Sequence, residues 1–163
     1  MSNIDHPGIK RRLSAILFAD IANYTRLMGE DEVGTWRAAK PVIRNMNEMA
    51  RQHHGRVLQV RGDGLFLLFD SAVDAVRFGM ELQRQMRTLN ESLEEERQIW
   101  FRVGINLGEI LVDDDDVSGD SINIAARLES LARPGHVCIS AAVYEQVRTR
   151  LTFGYEYLGA KLL

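Results

Sequence analysis

The chain has 163 residues, of which 45% are hydrophobic and 26% charged, and its formal net charge is −3. This length and composition are typical of a single globular domain with a substantial buried core. The negative charge argues against a nucleic-acid-binding protein with a basic face, although it does not exclude an anionic small molecule as a ligand. No stretch approaches the roughly 18–20 apolar residues of a membrane span. The first residues lack the apolar core of a signal peptide, so we expect a cytoplasmic protein without a membrane segment.

The hydrophobic pattern predicts alternating strands and helices. Strands are predicted over residues 12–19, 56–61, 65–69, 99–107, 109–112, 136–139 and 152–158. Helices are predicted from about residue 31 to Gly55, from 72 to 93, over 119–132 and over 141–149. The first helix has an apolar stripe that includes Trp36, and the second has Asp70 or Ser71 as its cap, an apolar stripe over 75–93 and the acidic run 94–96 at its end. A turn is expected at Gly108, between the strands 99–107 and 109–112. Pro41 lies inside the first helix, so we expect a kink or two helical pieces there. The order βαββαββαβαβ mixes hairpins with crossovers, which favours an α+β sandwich over a doubly wound parallel sheet.

Two aspartates lie where apolar strands give way to turns. Asp20 ends one apolar run, and Asp63 lies between two glycines in the turn of the predicted hairpin. Taken singly, each fits an ordinary turn residue, because Asp and Gly are common in turns. Taken together, two carboxylates at strand ends suit a divalent cation that bridges phosphate oxygens, and the glycines let a ligand approach the backbone. The turn after Asp20, over residues 21–25, also offers N–H groups to a phosphate.

The predicted helix over residues 119–132 carries Asn123 and Arg127 four positions apart, and therefore on one face. One interpretation is a solvated polar face without chemistry. The other is catalytic, because an amide can orient a hydroxyl group and a guanidinium holds the charge of a pentavalent phosphate without titrating. The spacing alone leaves both interpretations open.

Four segments resemble, in order, the motifs of the class III nucleotidyl cyclase catalytic domain, in its bacterial adenylate/guanylate cyclase branch. They are FADIANYTRLMGEDE at 18–32, GDG at 62–64, FRVGINLGE at 101–109 and GDSINIAARLE at 119–129. The resemblance covers residues 12–159, which is nearly the whole chain. It implies a ferredoxin-like α+β domain, with helices on a mostly antiparallel sheet, that works as a head-to-tail homodimer with two sites at the subunit interface.

The resemblance also implies roles for five residues of the first two motifs. Asp20 and Asp63 would hold two Mg²⁺ or Mn²⁺ ions in each site, with help from the carbonyl group of Ile21. The amides of Tyr24 and Thr25 would cradle the β- and γ-phosphates of a nucleoside triphosphate.

The second subunit would complete each site with Asn123, which orients the ribose, and Arg127, which stabilises the transition state. The implied reaction is attack of the ribose 3′-oxygen on the α-phosphorus of ATP, which forms 3′,5′-cyclic AMP and releases pyrophosphate. The enzyme would then be an adenylate cyclase, a phosphorus–oxygen lyase of signal transduction. The alternatives are an enzyme that uses GTP, and a degenerate cyclase-homology module that binds nucleotide or dimerises without turnover.

The purine-binding positions bear on the choice between ATP and GTP. In adenylate cyclases of this family a lysine usually stands three residues before the Gly-Asp pair, and here that position is Gln59. Its usual companion aspartate is present as Asp116. A glutamine can donate to adenine N1 or accept from a purine amino group, so the change weakens the assignment of ATP without ending it. The alternative is that Gln59 is a polar strand residue without a ligand.

Two further residues depart from the family pattern. Arg61 replaces a small or apolar residue and, by strand alternation, shares a face with Gln59. It could pair with Asp63, reach a phosphate or obstruct the site, and the sequence does not choose among these. Asn23 stands where glycine is common in the phosphate loop. Because Asn tolerates unusual backbone angles, we expect this turn to form.

The resemblance sets the expected domain limits as well. We expect residues 1–10 to be a flexible lead-in and residues 11–163 to form the catalytic domain. Domains of the family usually continue through a lysine and a final strand, so the segment is expected to stop before its last strand. Lys161 is not assigned to the role of that lysine.

Overall fold

The computed structural model describes residues 8–61 and 64–160, and for Val60 and Arg61 it describes the backbone. The elements, in chain order, are β1 (Ile9–Ile21), α1 (Tyr24–Glu30), α2 (Glu32–Arg44), α3 (Met46–Gln52), β2 (Gly55–Arg61), β3 (Gly64–Phe69), α4 (Ala72–Asn90), a 3₁₀ turn (Glu95–Arg97), β4 (Phe101–Asp113), β5 (Asp116–Ser118), α5 (Asp120–Leu131), β6 (Val137–Ile139) and α6 (Ala141–Val147). Among these described elements, no helix has the length and apolar character that a bilayer crossing requires.

The strands form one sheet in the order β2-β3-β1-β4-β5, with β6 added beside β4. All the pairs are antiparallel except β4 with β6. This mostly antiparallel sheet with helices confirms the predicted α+β class. The central strand β1 is paired on both sides, with Ala15–Ala19 opposite β3 and the whole strand opposite β4.

Residue alternation along β1 divides the core between the two faces of the sheet. Ala15, Leu17 and Ala19 face the larger cluster, to which α1, α2, α3, α4 and α6 contribute. Ile16 faces the smaller cluster, where Ala125 of α5 meets the sheet. Side chains of successive strand residues point to opposite faces, which is why a continuous apolar run here covers both layers.

Helix α4 matches its sequence pattern closely. The Oγ of Ser71 accepts a hydrogen bond from the backbone N–H of Asp74, as expected for an N-cap serine. The predicted apolar stripe is buried through most of its length, at Ala75, Gly79, Leu82 and Met86. The helix ends at Asn90, before Leu93 and the acidic run that was expected to end it.

Helix α5 lies very close to β4 because two glycines of that strand have no side chains. A Cβ atom built on Gly104 would lie 2.6 Å from the backbone oxygen of Ala125 and 2.6 Å from the Cα of Glu129. A Cβ on Gly108 would lie 2.7 Å from the Cβ of Ser121. Real side chains do not tolerate such distances, so both glycines are required for this close approach of strand and helix.

The first predicted helix consists of two pieces, α2 and α3, as expected, but they meet at Asn45, whereas Pro41 lies inside α2. Three other sequence predictions need correction. Trp36, expected in the apolar stripe of that helix, is 53% exposed. The predicted turn at Gly108 is absent, because β4 continues through it and the missing side chain serves the contact with α5 instead. The last predicted strand is also wrong, since residues 152–158 have no regular secondary structure.

Candidate active site

Asp20 lies one residue before the end of β1, directly opposite Arg102 of β4 in the antiparallel register. Its side chain is 36% exposed, yet its Oδ1 atom is buried and accepts no hydrogen bond from the described residues. The Nε of Arg102 lies 3.8 Å from this oxygen, and it also makes no hydrogen bond to the described part of the chain. Buried polar atoms are usually hydrogen-bonded, so this pair has the features of a site that receives a ligand.

Asp20 also lines a cleft of about 240 Å³ on the α5 side of the sheet. The other lining residues that the structure describes are Phe18, Ala19, Gln59, Gly64, Leu65, Phe66 and Glu129. Phe18 and Phe66 stack in parallel, with their ring centroids 4.7 Å apart, and form an apolar wall. The structure therefore places Asp20, the predicted metal ligand, and Gln59, the predicted purine contact, along one cleft of a single subunit.

The second predicted metal ligand, Asp63, lies outside the described residues, and so does the side chain of Arg61. The predictions for these two residues therefore stay untested. The neighbouring Gly64 lines the cleft with Asp20, and β3 pairs with β1 up to Leu65 opposite Ala19. Among the residues that the structure describes, no group of three or more His, Cys, Asp or Glu side chains could hold a metal ion.

The turn after Asp20 has the backbone conformation expected for it. Asn23 adopts the left-handed conformation, with φ 57° and ψ 32°, at the N-terminal boundary of α1. This confirms that asparagine can replace the glycine that is common there. The backbone N–H of Ala22 donates to the carbonyl oxygen of Trp100 at 2.7 Å, which joins the turn to the start of β4. Tyr24 is half-buried against the core and Thr25 is exposed.

The polar residues of α5 face away from this cleft within one subunit. Asn123 and Arg127 are both exposed, as their spacing on one helix face suggested. Ala125 and Glu129 lie on the side of α5 that faces the sheet, and Glu129 lines the cleft. Residues two apart differ by about 200° around a helix, so Asn123 and Arg127 point to nearly the opposite side.

Asp116, the other predicted purine contact, lies at the beginning of β5, opposite Asp113 of β4. Its side chain is exposed. The amide of Asn106 donates to the carbonyl oxygen of Ser121 at 3.0 Å, which fixes the first turn of α5 on β4. The β5–α5 segment, which carries three of the predicted site residues, is thus anchored to the same strand that carries Arg102.

Arg102 is a residue of the site that the sequence alone did not single out. Its position beside Asp20 depends on the register of β1 with β4, two strands separated by about 80 residues of chain. The sequence could have indicated Arg102 if the segments 18–32 and 101–109 had been paired as neighbouring antiparallel strands. With that pairing, an arginine one position from the start of β4 falls opposite an aspartate one position from the end of β1.

Comparison with known proteins shows the family of the chain. Residues 11–161 match the family described as the adenylate and guanylate cyclase catalytic domain. The chain belongs to this family. Proteins of this cyclase family bind nucleoside triphosphates, generally depend on divalent metal ions and commonly form dimers. The buried oxygen of Asp20, which has no hydrogen-bond donor among the described residues, fits a divalent cation as its partner.

Individual cyclases are similar over most of the chain. A crystal structure described as an adenylate/guanylate cyclase/hydrolase from Silicibacter pomeroyi is 36% identical, with a TM-score of 0.85, and covers 93% of this chain and 88% of its own. "Putative adenylate cyclase 3" of Rhizobium meliloti is 46% identical over 144 residues, which are 88% of this chain and 24% of that protein. An adenylate cyclase of Streptomyces coelicolor is 31% identical, over 90% of this chain and 37% of its own length. The chain thus spans 24% and 37% of the lengths of these two relatives.

Proposed function

We propose that the chain is the catalytic domain of an adenylate cyclase that converts ATP to 3′,5′-cyclic AMP and pyrophosphate. The observation that carries the proposal is the state of Asp20: its buried carboxylate oxygen, without a hydrogen-bond donor among the described residues, faces Arg102 at the edge of a cleft. A carboxylate and a guanidinium side by side can receive a cation and an anion together, and a metal-bound triphosphate supplies both.

In this proposal one subunit provides the metal and phosphate half of the site. Asp20 and Asp63, with the backbone carbonyl of Ile21, hold two Mg²⁺ or Mn²⁺ ions, and the N–H groups of Tyr24 and Thr25 bind the β- and γ-phosphates. When bound, such ions neutralise phosphate charge and activate the attacking oxygen. Arg102 adds a positive charge 3.8 Å from the carboxylate of Asp20.

The second subunit provides the nucleoside half. Asn123 and Arg127 are exposed on the far side of α5, away from the cleft of their own subunit, which supports a role towards another chain. The cleft of about 240 Å³ is also smaller than the roughly 300–1,000 Å³ of typical small-ligand pockets, which supports a site that a partner completes. Gln59 and Asp116 contact the purine in this proposal.

The reaction forms a bond between the ribose 3′-oxygen and the α-phosphorus and breaks the bond from that phosphorus to the oxygen bridging it to the β-phosphate. The 3′-hydroxyl group loses its proton to water, and pyrophosphate leaves. Asn123 holds the ribose so that its 3′-oxygen faces the α-phosphate, and Arg127 stabilises the charge that develops on that phosphate. The acceleration comes from positioning and charge stabilisation rather than from a covalent intermediate.

The direct test is incubation of the purified chain with Mn²⁺ and either ATP or GTP, followed by detection of cyclic product. Cyclic AMP as the main product supports the proposal. An excess of cyclic GMP would show that the enzyme uses GTP instead. The observation that motivates this alternative is Gln59, which stands where adenylate cyclases of the family usually have lysine. Nucleotide binding by a proven dimer without any product identifies a degenerate module and contradicts the proposal.

The shared site is tested by mixing two inactive variants. Asp20→Ala removes a metal ligand, and Arg127→Ala removes the transition-state cation, so each variant alone should have no activity. A heterodimer of the two regains one intact site, and an equal mixture should recover about one quarter of the wild-type activity. Heterodimers demonstrated by differential tagging that remain inactive would contradict the composite site.

A further inference from the structure

The helix that begins with the phosphate-binding residues has few buried contacts of its own. Helix α1 has seven residues, Tyr24–Glu30, of which Leu27 is buried. A helix of this length is not stable in water without tertiary contacts, because nucleation costs more than so few hydrogen bonds return. Other contacts must therefore fix α1, and with it the turn that follows Asp20.

Arg97, at the end of the 3₁₀ turn before β4, makes contacts of this kind. Its Nη1 lies 3.2 Å from the Oε2 of Glu30, the last residue of α1. Its Nη2 donates to the Oγ1 of Thr35 at 2.9 Å and to the carbonyl oxygen of Asp31 at 3.4 Å. The Arg97 side chain is 25% exposed and that of Glu30 is 49% exposed, so the bond to Thr35 is the most shielded of the three. We call this group, Arg97 with Glu30, Asp31 and Thr35, the Arg97 clasp.

Thr35 passes the contact on to the body of α1. It is 2% exposed, and its hydroxyl group donates to the carbonyl oxygen of Leu27 at 3.0 Å. The hydroxyl thus accepts from Arg97 and donates to Leu27, so that both of its hydrogen-bonding functions are used. The arginine therefore reaches the backbone of α1 through one buried hydroxyl group as well as through Glu30.

The same segment of chain contacts the region of Asp20 at two further points. The carbonyl oxygen of Trp100 accepts from Ala22, and Arg102 lies opposite Asp20. The segment is itself fixed, because the side-chain amide of Asn90 bonds both the N–H and the carbonyl group of Ile99, at 2.8 and 2.9 Å. Residues 97–102 thus contact both ends of the turn and helix.

We propose that Arg97 is a positioning residue for triphosphate binding: through the Arg97 clasp it holds α1 so that the backbone N–H groups of Tyr24 and Thr25 stand ready for the phosphates. This inference rests on the proposed cyclase function. Arg97 acts through α1 and does not touch the substrate. Its loss lowers the fraction of molecules in which the turn is formed before binding, and the apparent affinity falls by that fraction.

The test compares two pairs of variants by steady-state kinetics with Mn²⁺ and ATP. Arg97→Ala and Thr35→Val each break the clasp, and each should raise KM about tenfold while kcat stays within about twofold, because bound substrate restores the turn. Thr35→Ser keeps the hydroxyl group and should behave like the wild type. Arg84→Ala is the matched arginine control, because Arg84 pairs with Glu81 on the exposed side of α4.

Hydrogen exchange provides a readout that needs no turnover. Amides of α1 should exchange faster in Arg97→Ala and Thr35→Val than in the wild type, whereas amides in the middle of β1 should not change. If the wild type is active and both variants have the same KM as the wild type, the clasp is overturned and the cyclase function is unaffected. A wild-type chain that forms no cyclic product overturns the cyclase function. Unaltered exchange in α1 overturns the clasp in either case.

Discussion

The contact between β4 and α5 gives a prediction whose size follows from the structure. Replacing Gly104 by alanine adds one methyl group at a point where the nearest atoms are backbone atoms of Ala125 and Glu129. Backbone atoms cannot rotate away as a side chain can, so the helix must move as a unit. The new Cβ would lie 2.6 Å from two of these atoms, against at least 3.4 Å for an ordinary contact, so α5 must retreat by roughly 1 Å.

This displacement should cost both stability and activity. Overpacking of a closely packed site costs about 1–3 kcal/mol, and the upper half of that range applies because the clash involves backbone. For a domain of this size such a loss lowers Tm by about 5–10 °C. Asn123 and Arg127, which the proposed mechanism makes catalytic, move with α5, and a misplacement of about 1 Å at a catalytic group costs about 100-fold in turnover. Activity should therefore fall much further than stability does.

The assay measures Tm by calorimetry and kcat/KM for cyclic nucleotide formation at a temperature where the variant is fully folded. Gly154→Ala is the matched control, since a Cβ at Gly154 meets nothing within 4 Å, and it should leave both quantities unchanged. A Tm within 1 °C of the wild type for Gly104→Ala would refute the packing argument. A lowered Tm with full activity would refute the view that activity depends on the position of α5.

Three further predictions concern the support and specificity of the site. Asn90→Ala leaves the buried N–H and carbonyl group of Ile99 without partners, and should lower the free energy of unfolding in urea by about 2–4 kcal/mol; a loss below 1 kcal/mol would contradict the role of this amide. Asn23→Gly should keep the left-handed turn and its stability, whereas Asn23→Val should lose about 1–2 kcal/mol; equal denaturation midpoints would contradict this. Gln59→Lys should raise the ratio of kcat/KM for ATP over GTP about tenfold, and an unchanged ratio would show that this side chain does not contact the purine.

The sequence predicts those parts of the molecule that depend on local pattern. The strand ending at Asp20, the hairpin of β2 and β3, and α4 with Asp70 or Ser71 as its cap were all predicted, because alternation, turn residues and caps are read from neighbouring positions. The α+β class and the pair of exposed polar residues on α5 followed in the same way.

The features that could not be predicted depend on contacts between distant segments. The position of Arg102 beside Asp20 comes from strand register, and the Arg97 clasp joins residues that lie more than 60 positions apart in the chain. The prediction of a turn at Gly108 was wrong for a related reason. A glycine inside a strand is the same signal whether it makes a turn or admits a neighbouring helix, and only the packed structure distinguishes the two.

The close contact of α5 with β4 has a consequence for how a two-chain site can open. The helix that carries Asn123 and Arg127 rests with its backbone against Gly104, so movement of the helix towards the sheet is blocked. In the proposed two-chain site, the separation of the two halves would then depend on the angle between the subunits. A signal that changes this angle would change the activity without deforming either subunit.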